Sequence, residues 1–123
     1  MSTQLVEPDN SFSQLTSADY LGTSPNYGSY SQYLSYGDDD YSYLYAYAGE
    51  TISISTSGGY YLDTTLSLYQ GYGGSLVAYD DDGGYGYNSS LNYYVQTSGY
   101  YYVDVAGYQD NYAGSYTLNV NVA

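Results

Sequence analysis

The sequence predicts an all-β protein, a jelly-roll-like β-sandwich of two antiparallel sheets, on three observations. Short stretches alternate apolar and polar residues from position 41 onward, Gly- or Asp-rich turns separate them, and no long apolar stretch repeats at helical spacing. Strands with one apolar face each need a second sheet to cover it, so two sheets stack. At 123 residues, 43% of them hydrophobic, the chain suits one domain with a modest core.

Residues 1–36 are polar, with Pro8, Pro25 and scattered Gly. They read as an N-terminal segment and irregular first strands, part of the same domain whose regular sandwich core is 37–123. In 41–48, Tyr41, Tyr43, Tyr45 and Tyr47 alternate with Ser42, Leu44, Ala46 and Ala48. Two assignments compete for this strand. Burying the Tyr face asks four phenolic hydroxyls to find internal partners; burying the Leu/Ala face leaves an exposed ladder of rings and fewer unsatisfied polar groups. The second is the expectation, and such a ladder is an adhesive surface.

The later elements follow the same logic. Residues 51–56 alternate with Ile52 and Ile54 inward and stop at Gly58-Gly59; 62–69 place Leu62, Thr64, Leu66 and Leu68 on one face. Gly71 to Gly74 turn the chain into 75–79, and 83–88 read as a loop. Leu91, Tyr93 and Val95 share a face, as do Tyr101, Val103 and Val105, and 116–122 alternate to the end.

Charge excludes whole classes of partner. The formal net charge is -13 and there is no Lys, Arg or His, so nucleic acid and anionic lipid would be repelled with nothing to hold them. No apolar run is long enough to insert in a membrane. Absence of Cys rules out disulfides and thiolate zinc. The first residues lack a basic and then apolar leader pattern, so no signal peptide is visible. Without His, Cys or Lys the Ser-His, Cys-His and Ser-Lys machineries cannot be built, and the carboxylates sit in runs, a layout suited to metal or water; the chain is not expected to be an enzyme.

Those runs are Asp38-Asp39-Asp40 and Asp80-Asp81-Asp82. Folding crowds them, so either they stay in solvent or a hard cation such as calcium compensates them. The 24 tyrosines stand where basic or polar side chains ordinarily meet water, at Tyr43, Tyr45, Tyr47, Tyr69, Tyr79, Tyr94, Tyr100 and Tyr102 among others. A chain without Lys and Arg also offers no site to a trypsin-like protease.

Several stretches, in order, resemble the bacterial pre-peptidase C-terminal domain, including the collagen-binding domains of collagenases. They are Glu7-Pro8-Asp9-Asn10-Ser11, with the family's middle pair exchanged, Gly37-Asp38-Asp39-Asp40-Tyr41, Ala48-Gly49-Glu50-Thr51, Leu62-Asp63-Thr64-Thr65-Leu66-Ser67-Leu68-Tyr69, Asp80-Asp81-Asp82-Gly83-Gly84, Ser98-Gly99-Tyr100-Tyr101-Tyr102-Val103-Asp104-Val105 and Gly114-Ser115-Tyr116-Thr117-Leu118. The resemblance implies a β-sandwich and an extracellular or cell-surface location. It also implies a calcium site between the N-terminal segment and the Gly-Asp loop, at Glu7, Asp9, Asn10, Asp38 and Asp40, with Asp39 as a substitute. Around the second acidic run, Asp63, Asp82 and Asn88 are the candidate ligands.

Two functions are carried forward. One is a non-catalytic extracellular calcium-binding module that contributes stability, spacing or attachment, for instance to matrix or carbohydrate. The other is a structural subunit that assembles with copies of itself into filaments or a surface layer through exposed tyrosines.

Overall fold

The computed structural model describes residues 2–4, 20–23, 26–34, 39–58, 62–81, 88–107 and 114–123. Its strands are β1 (Ser2–Gln4), β2 (Tyr20–Thr23), β3 (Asn26–Leu34), β4 (Asp39–Ala46), β5 (Thr51–Gly58), β6 (Thr64–Gln70), β7 (Ser75–Asp80), β8 (Ser90–Tyr94), β9 (Gly99–Gly107) and β10 (Gly114–Val122). They form the two stacked sheets of an all-β sandwich, the first in the order β1-β3-β10-β5-β8 and the second in the order β2-β4-β9-β6-β7. Consecutive strands β6 and β7 share a sheet, whereas every other consecutive pair lies on opposite sheets.

Most neighbours are antiparallel, as expected. Two pairs differ: β1 lies parallel to β3, and β2 parallel to β4. A parallel pair needs a long connection. Here each connection visits the opposite sheet, since β2 intervenes between β1 and β3, and β3 between β2 and β4. The early part of the chain is also more regular than its polar composition suggests, because β3 spans nine residues in unbroken register with β10. A neighbour that supplies every ladder partner outweighs weak local propensity.

Period-two alternation decides what is inside. On β4, Asp40, Ser42, Leu44 and Ala46 are buried; Ile52 and Ile54 on β5, Leu66 and Leu68 on β6, Val103 and Val105 on β9, and Leu118, Val120 and Val122 on β10 meet them in the core. Leu44 is fully covered, which removes the alternative that buries the tyrosines of this strand. Ala48 departs from the expected inward set: β4 ends at Ala46, and Ala48 is exposed in a turn whose Gly49 has φ +96°. Ser42 and Ala46 are small for core positions. Beside them Tyr101, directly opposite Leu44, lies wholly inside, and its hydroxyl donates to the Thr97 carbonyl at 2.6 Å.

The β6–β7 turn, 71–74, needs glycine. Gly71 and Gly73 have φ of +84° and +62°, and a Cβ on Gly74 would lie 1.8 Å from the Gln70 carbonyl oxygen.

A buried hydroxyl cluster ties the sheets together. Thr56 of β5 and Thr64 of β6 share a hydrogen bond at 2.7 Å, the Ser89 N–H donates to Thr56 Oγ1 at 2.9 Å, and Ser89 Oγ donates to the Thr64 carbonyl. Each polar group is satisfied by another from a different element, so deleting one strands its partners. Ser89→Ala is expected to lower unfolding free energy by about 1–3 kcal/mol, measured as a shift in denaturant midpoint at constant m-value.

Candidate functional site

The outer face of the second sheet follows from register. Across β4 and β9, Tyr41 faces Asp104, Tyr43 faces Tyr102 and Tyr45 faces Tyr100; β2 adds Tyr20 beside Tyr43, and β6 adds Tyr69 beside Tyr102. Because the alternate residues of these strands enter the core, the rings share one side of the sheet.

They touch in a connected set. Ring centroids are 5.1 Å apart for Tyr20–Tyr43, 5.0 Å for Tyr45–Tyr100 and 5.1 Å for Tyr45–Tyr47, and Tyr43 joins Tyr100 at 6.2 Å. Edge-to-face and tilted pairs at this spacing are favourable. Tyr47 and Tyr100 are about half exposed, at 48% and 50%, whereas Tyr43 and Tyr45 are half-buried by their own neighbours. The ladder expected at Tyr43, Tyr45 and Tyr47 therefore exists, and it is packed sideways into a pavement. Tyr79 and Tyr94 are exposed as expected and Tyr69 is half-buried, with Tyr94 on the other sheet.

Tyr102 corrects the expectation. It is buried, because Tyr43 stacks on it at 5.5 Å with planes 19° apart and Tyr72, from the β6–β7 turn, closes edge-on at 5.8 Å.

Asp104 was legible only as an outward polar position between Val103 and Val105. It proves to be a carboxyl on the outer side of the sheet that is nevertheless only 8% exposed. Tyr41 and Ser67 stand directly opposite it on β4 and β6, and Asp39 is diagonal to it. The Tyr41 hydroxyl donates to this carboxyl, and a further hydrogen bond joins it to Asp39. The remaining oxygen, Oδ1, has no hydrogen-bond partner among the described residues. The Asp104 carboxyl is pushed up from 3.8 to about 9, first by burial, then by the Asp39 charge and the hydrogen bond to Asp39, with a smaller push from Asp40, while the hydrogen bond from the Tyr41 hydroxyl opposes. At neutral pH Asp104 therefore favours its protonated form, hydrogen-bonded with Asp39. The Tyr41 phenol is driven above its ordinary 10.0, first by burial and then by Asp104 and Asp39.

The expected metal ligands are divided. Glu7, Asp9, Asn10, Asp38 and Asp82 lie outside the described residues. Asp40 is buried on the inner face, where its Oδ2 accepts a hydrogen bond from the Tyr116 hydroxyl of the opposite sheet at 2.7 Å. Asp63 is buried immediately before β6. Asn88 Oδ1 accepts from the Gly58 N–H at 2.9 Å, a structural bond at the end of β5. Strand direction brings acidic groups to one end of the sandwich: Asp39 pairs with Ala106, Thr65 with the same Ala106, and Leu66 with Asp80. Carboxylate oxygen is the donor type calcium takes, so the chemistry of this end fits. Among the described residues no three such side chains are grouped to hold a metal ion.

The raised Asp104 value carries a sign for stability. A carboxyl that binds its proton more tightly when folded stabilises the fold fully below about pH 4, and that contribution is lost as pH rises toward about 9. Asp104→Asn keeps a donor toward Asp39 and removes the titration. It is expected to flatten the fall in unfolding free energy across this window, by at most ~1.4 kcal/mol per pH unit. Parallel denaturation series of both chains from acid to mildly alkaline pH measure the difference; superimposable slopes would refute the assignment.

Among solved structures, the chain is similar to the pre-peptidase C-terminal domain of a collagenase from Bacillus anthracis. The identity is 25%, the TM-score 0.66, and the match covers 83% of this chain and 92% of that one. It is also similar to PliG, a periplasmic inhibitor of g-type lysozyme, from Aeromonas hydrophila (14% identity, TM-score 0.65, covering 85% of this chain and 97% of that one). The Salmonella Typhimurium PliG gives 16% identity and a TM-score of 0.56, with 85% and 97% covered. No protein-family model and no curated protein matches the sequence. The two inhibitors share the fold, and the collagenase domain is similar in three dimensions to the chain whose motifs resemble that family.

Proposed function

We propose that the chain is a non-catalytic β-sandwich module that works outside the cell, is stabilised by calcium at its acidic end, and attaches through the tyrosine pavement of the second sheet. The observation that carries this reading is the connected, half-exposed set of rings on one side of that sheet. Rings held by their neighbours lose little conformational freedom on binding, and each offers an apolar body with a hydrogen-bonding tip. Matrix proteins and carbohydrate present the mixed apolar and hydroxyl surfaces that such a face suits. The lack of His, Cys and Lys supports the non-catalytic part, and the likeness to a collagenase accessory domain supports the extracellular part. Among the described residues no helix is long and apolar enough to cross a membrane.

In this reading Glu7, Asp9, Asn10, Asp38 and Asp40 hold the calcium, with Asp63, Asp82 and Asn88 as the second candidate set. The ion supplies the positive charge that the sequence lacks. β1 runs parallel to β3, and so points toward the end where β4 begins, which favours a clamp there.

Two measurements test the proposal. Calcium is expected to raise the melting temperature over that in chelator, and Asp40→Asn to reduce the rise; an identical transition in both media sinks the clamp. In co-sedimentation with insoluble polysaccharides and matrix preparations, Tyr47→Ala and Tyr100→Ala are each expected to weaken retention roughly tenfold, about 1.4 kcal/mol. Light scattering with and without calcium reads the self-assembly alternative, which must overcome the repulsion of a chain with a formal net charge of -13. Growth of large particles that depends on Tyr47 and Tyr100 would replace attachment by assembly.

A further inference from the structure

Oxidising equivalents that reach a protein usually end on cysteine or methionine. This chain has no Cys, no Trp, no His and a single Met, at position 1, against 24 tyrosines. Phenols are thus its main electron donors, and the structure makes them unequal. Tyr45 is half-buried and touches two partners, Tyr100 at 5.0 Å directly across the β4/β9 ladder and Tyr47 at 5.1 Å along the chain. Both partners are about half exposed and open to an oxidant. Behind them Tyr20, Tyr43 and Tyr102 continue the contacts, at 5.1 Å and 5.5 Å for the pairs Tyr20–Tyr43 and Tyr43–Tyr102. A hole created on any of these rings can pass from one to the next. Tyr94 is the natural contrast: it is 61% exposed, stands on the other sheet, and has no ring contact among the described residues.

We propose that the tyrosine pavement is an oxidative cross-linking site centred on Tyr45, at which a peroxidase-type one-electron oxidant supplied with hydrogen peroxide joins Tyr45 to Tyr100 or Tyr47. Two phenols each lose one electron and one proton, giving two phenoxyl radicals. Peroxide takes both electrons and both protons and leaves as two waters. The radicals couple through the Cε carbons beside the hydroxyls, and the hydrogens on the joined carbons move to the oxygens, restoring both phenols. The net loss is two hydrogen atoms per link. The torsion that turns a tyrosine ring has a broad, soft profile, so rings already in contact can pivot to bring those carbons together. A link to Tyr100 would fasten β4 to β9, the central strand of the second sheet.

The test treats the folded chain with a peroxidase and limiting peroxide, reads the mass of the monomer, and maps the joined residues by fragment sequencing. The expected result is a monomer lighter by two hydrogens, linked from Tyr45 to Tyr100 or Tyr47. Tyr45→Phe keeps the ring and its packing but cannot form the radical, and should lose the linked monomer; Tyr94→Phe should form it as well as the parent. Intermolecular dimers without a linked monomer would overturn the proposal. So would undiminished linking in Tyr45→Phe, or an equal loss in Tyr94→Phe.

Discussion

A chain with thirteen carboxylates and no basic side chain cannot neutralise an acid group with a cation of its own. Every carboxylate that the fold covers must be met by a hydroxyl, an N–H, a proton or an ion from outside. The molecule uses the first three in view. The Tyr116 hydroxyl bonds Asp40 inside the sandwich, the Ser90 N–H bonds Asp80 at the end of β7, and Asp104 keeps a proton beneath the rings with Tyr41 as donor. Tyrosine therefore does two jobs. It supplies apolar area, and its hydroxyl supplies the donor that Lys or Arg would otherwise give.

The two outer faces divide the remaining chemistry. That of the first sheet carries Ser53, Ser55, Asn119 and Asn121 around a shallow hollow of about 210 Å³, and Asn119 takes a hydrogen bond from Ser29 while giving one to Ser57. These groups are small and uncharged, and Asn119 is already engaged with its neighbours. The face of the second sheet offers broad rings in mutual contact. Recognition by rings in mutual contact belongs to the second, whereas the exposed Tyr33 and Tyr94 of the first stand on separate strands, β3 and β8.

How much of this was legible in the sequence depends on the distance over which each feature is decided. Alternation along one strand is local, so the inward sets Leu44 and Ala46, Ile52 and Ile54, and Leu118 to Val122 could be read directly. The pairing of Tyr102 with Tyr43 and Tyr72 is not local, and an outward position was mistaken for an exposed one. Asp104 escaped notice for the same reason: its cover comes from β4 and β6, far away in the chain. The parallel edges reflect connections through the opposite sheet, which no short motif encodes. Of the calcium set, Asp40 is seen in a hydrogen bond to Tyr116, while most of the other members fall beyond the described residues.

The strands made last occupy the middle of each sheet. β9 lies between β4 and β6, and β10 between β3 and β5. During synthesis the earlier strands therefore wait with unpaired ladders and uncovered aromatic and aliphatic faces until positions 99–122 arrive. Neither half of the sandwich can be completed alone, and most of the contacts join residues distant in the chain. Folding of this topology should be slow, all-or-none and late, with the exposed strands vulnerable to aggregation before closure.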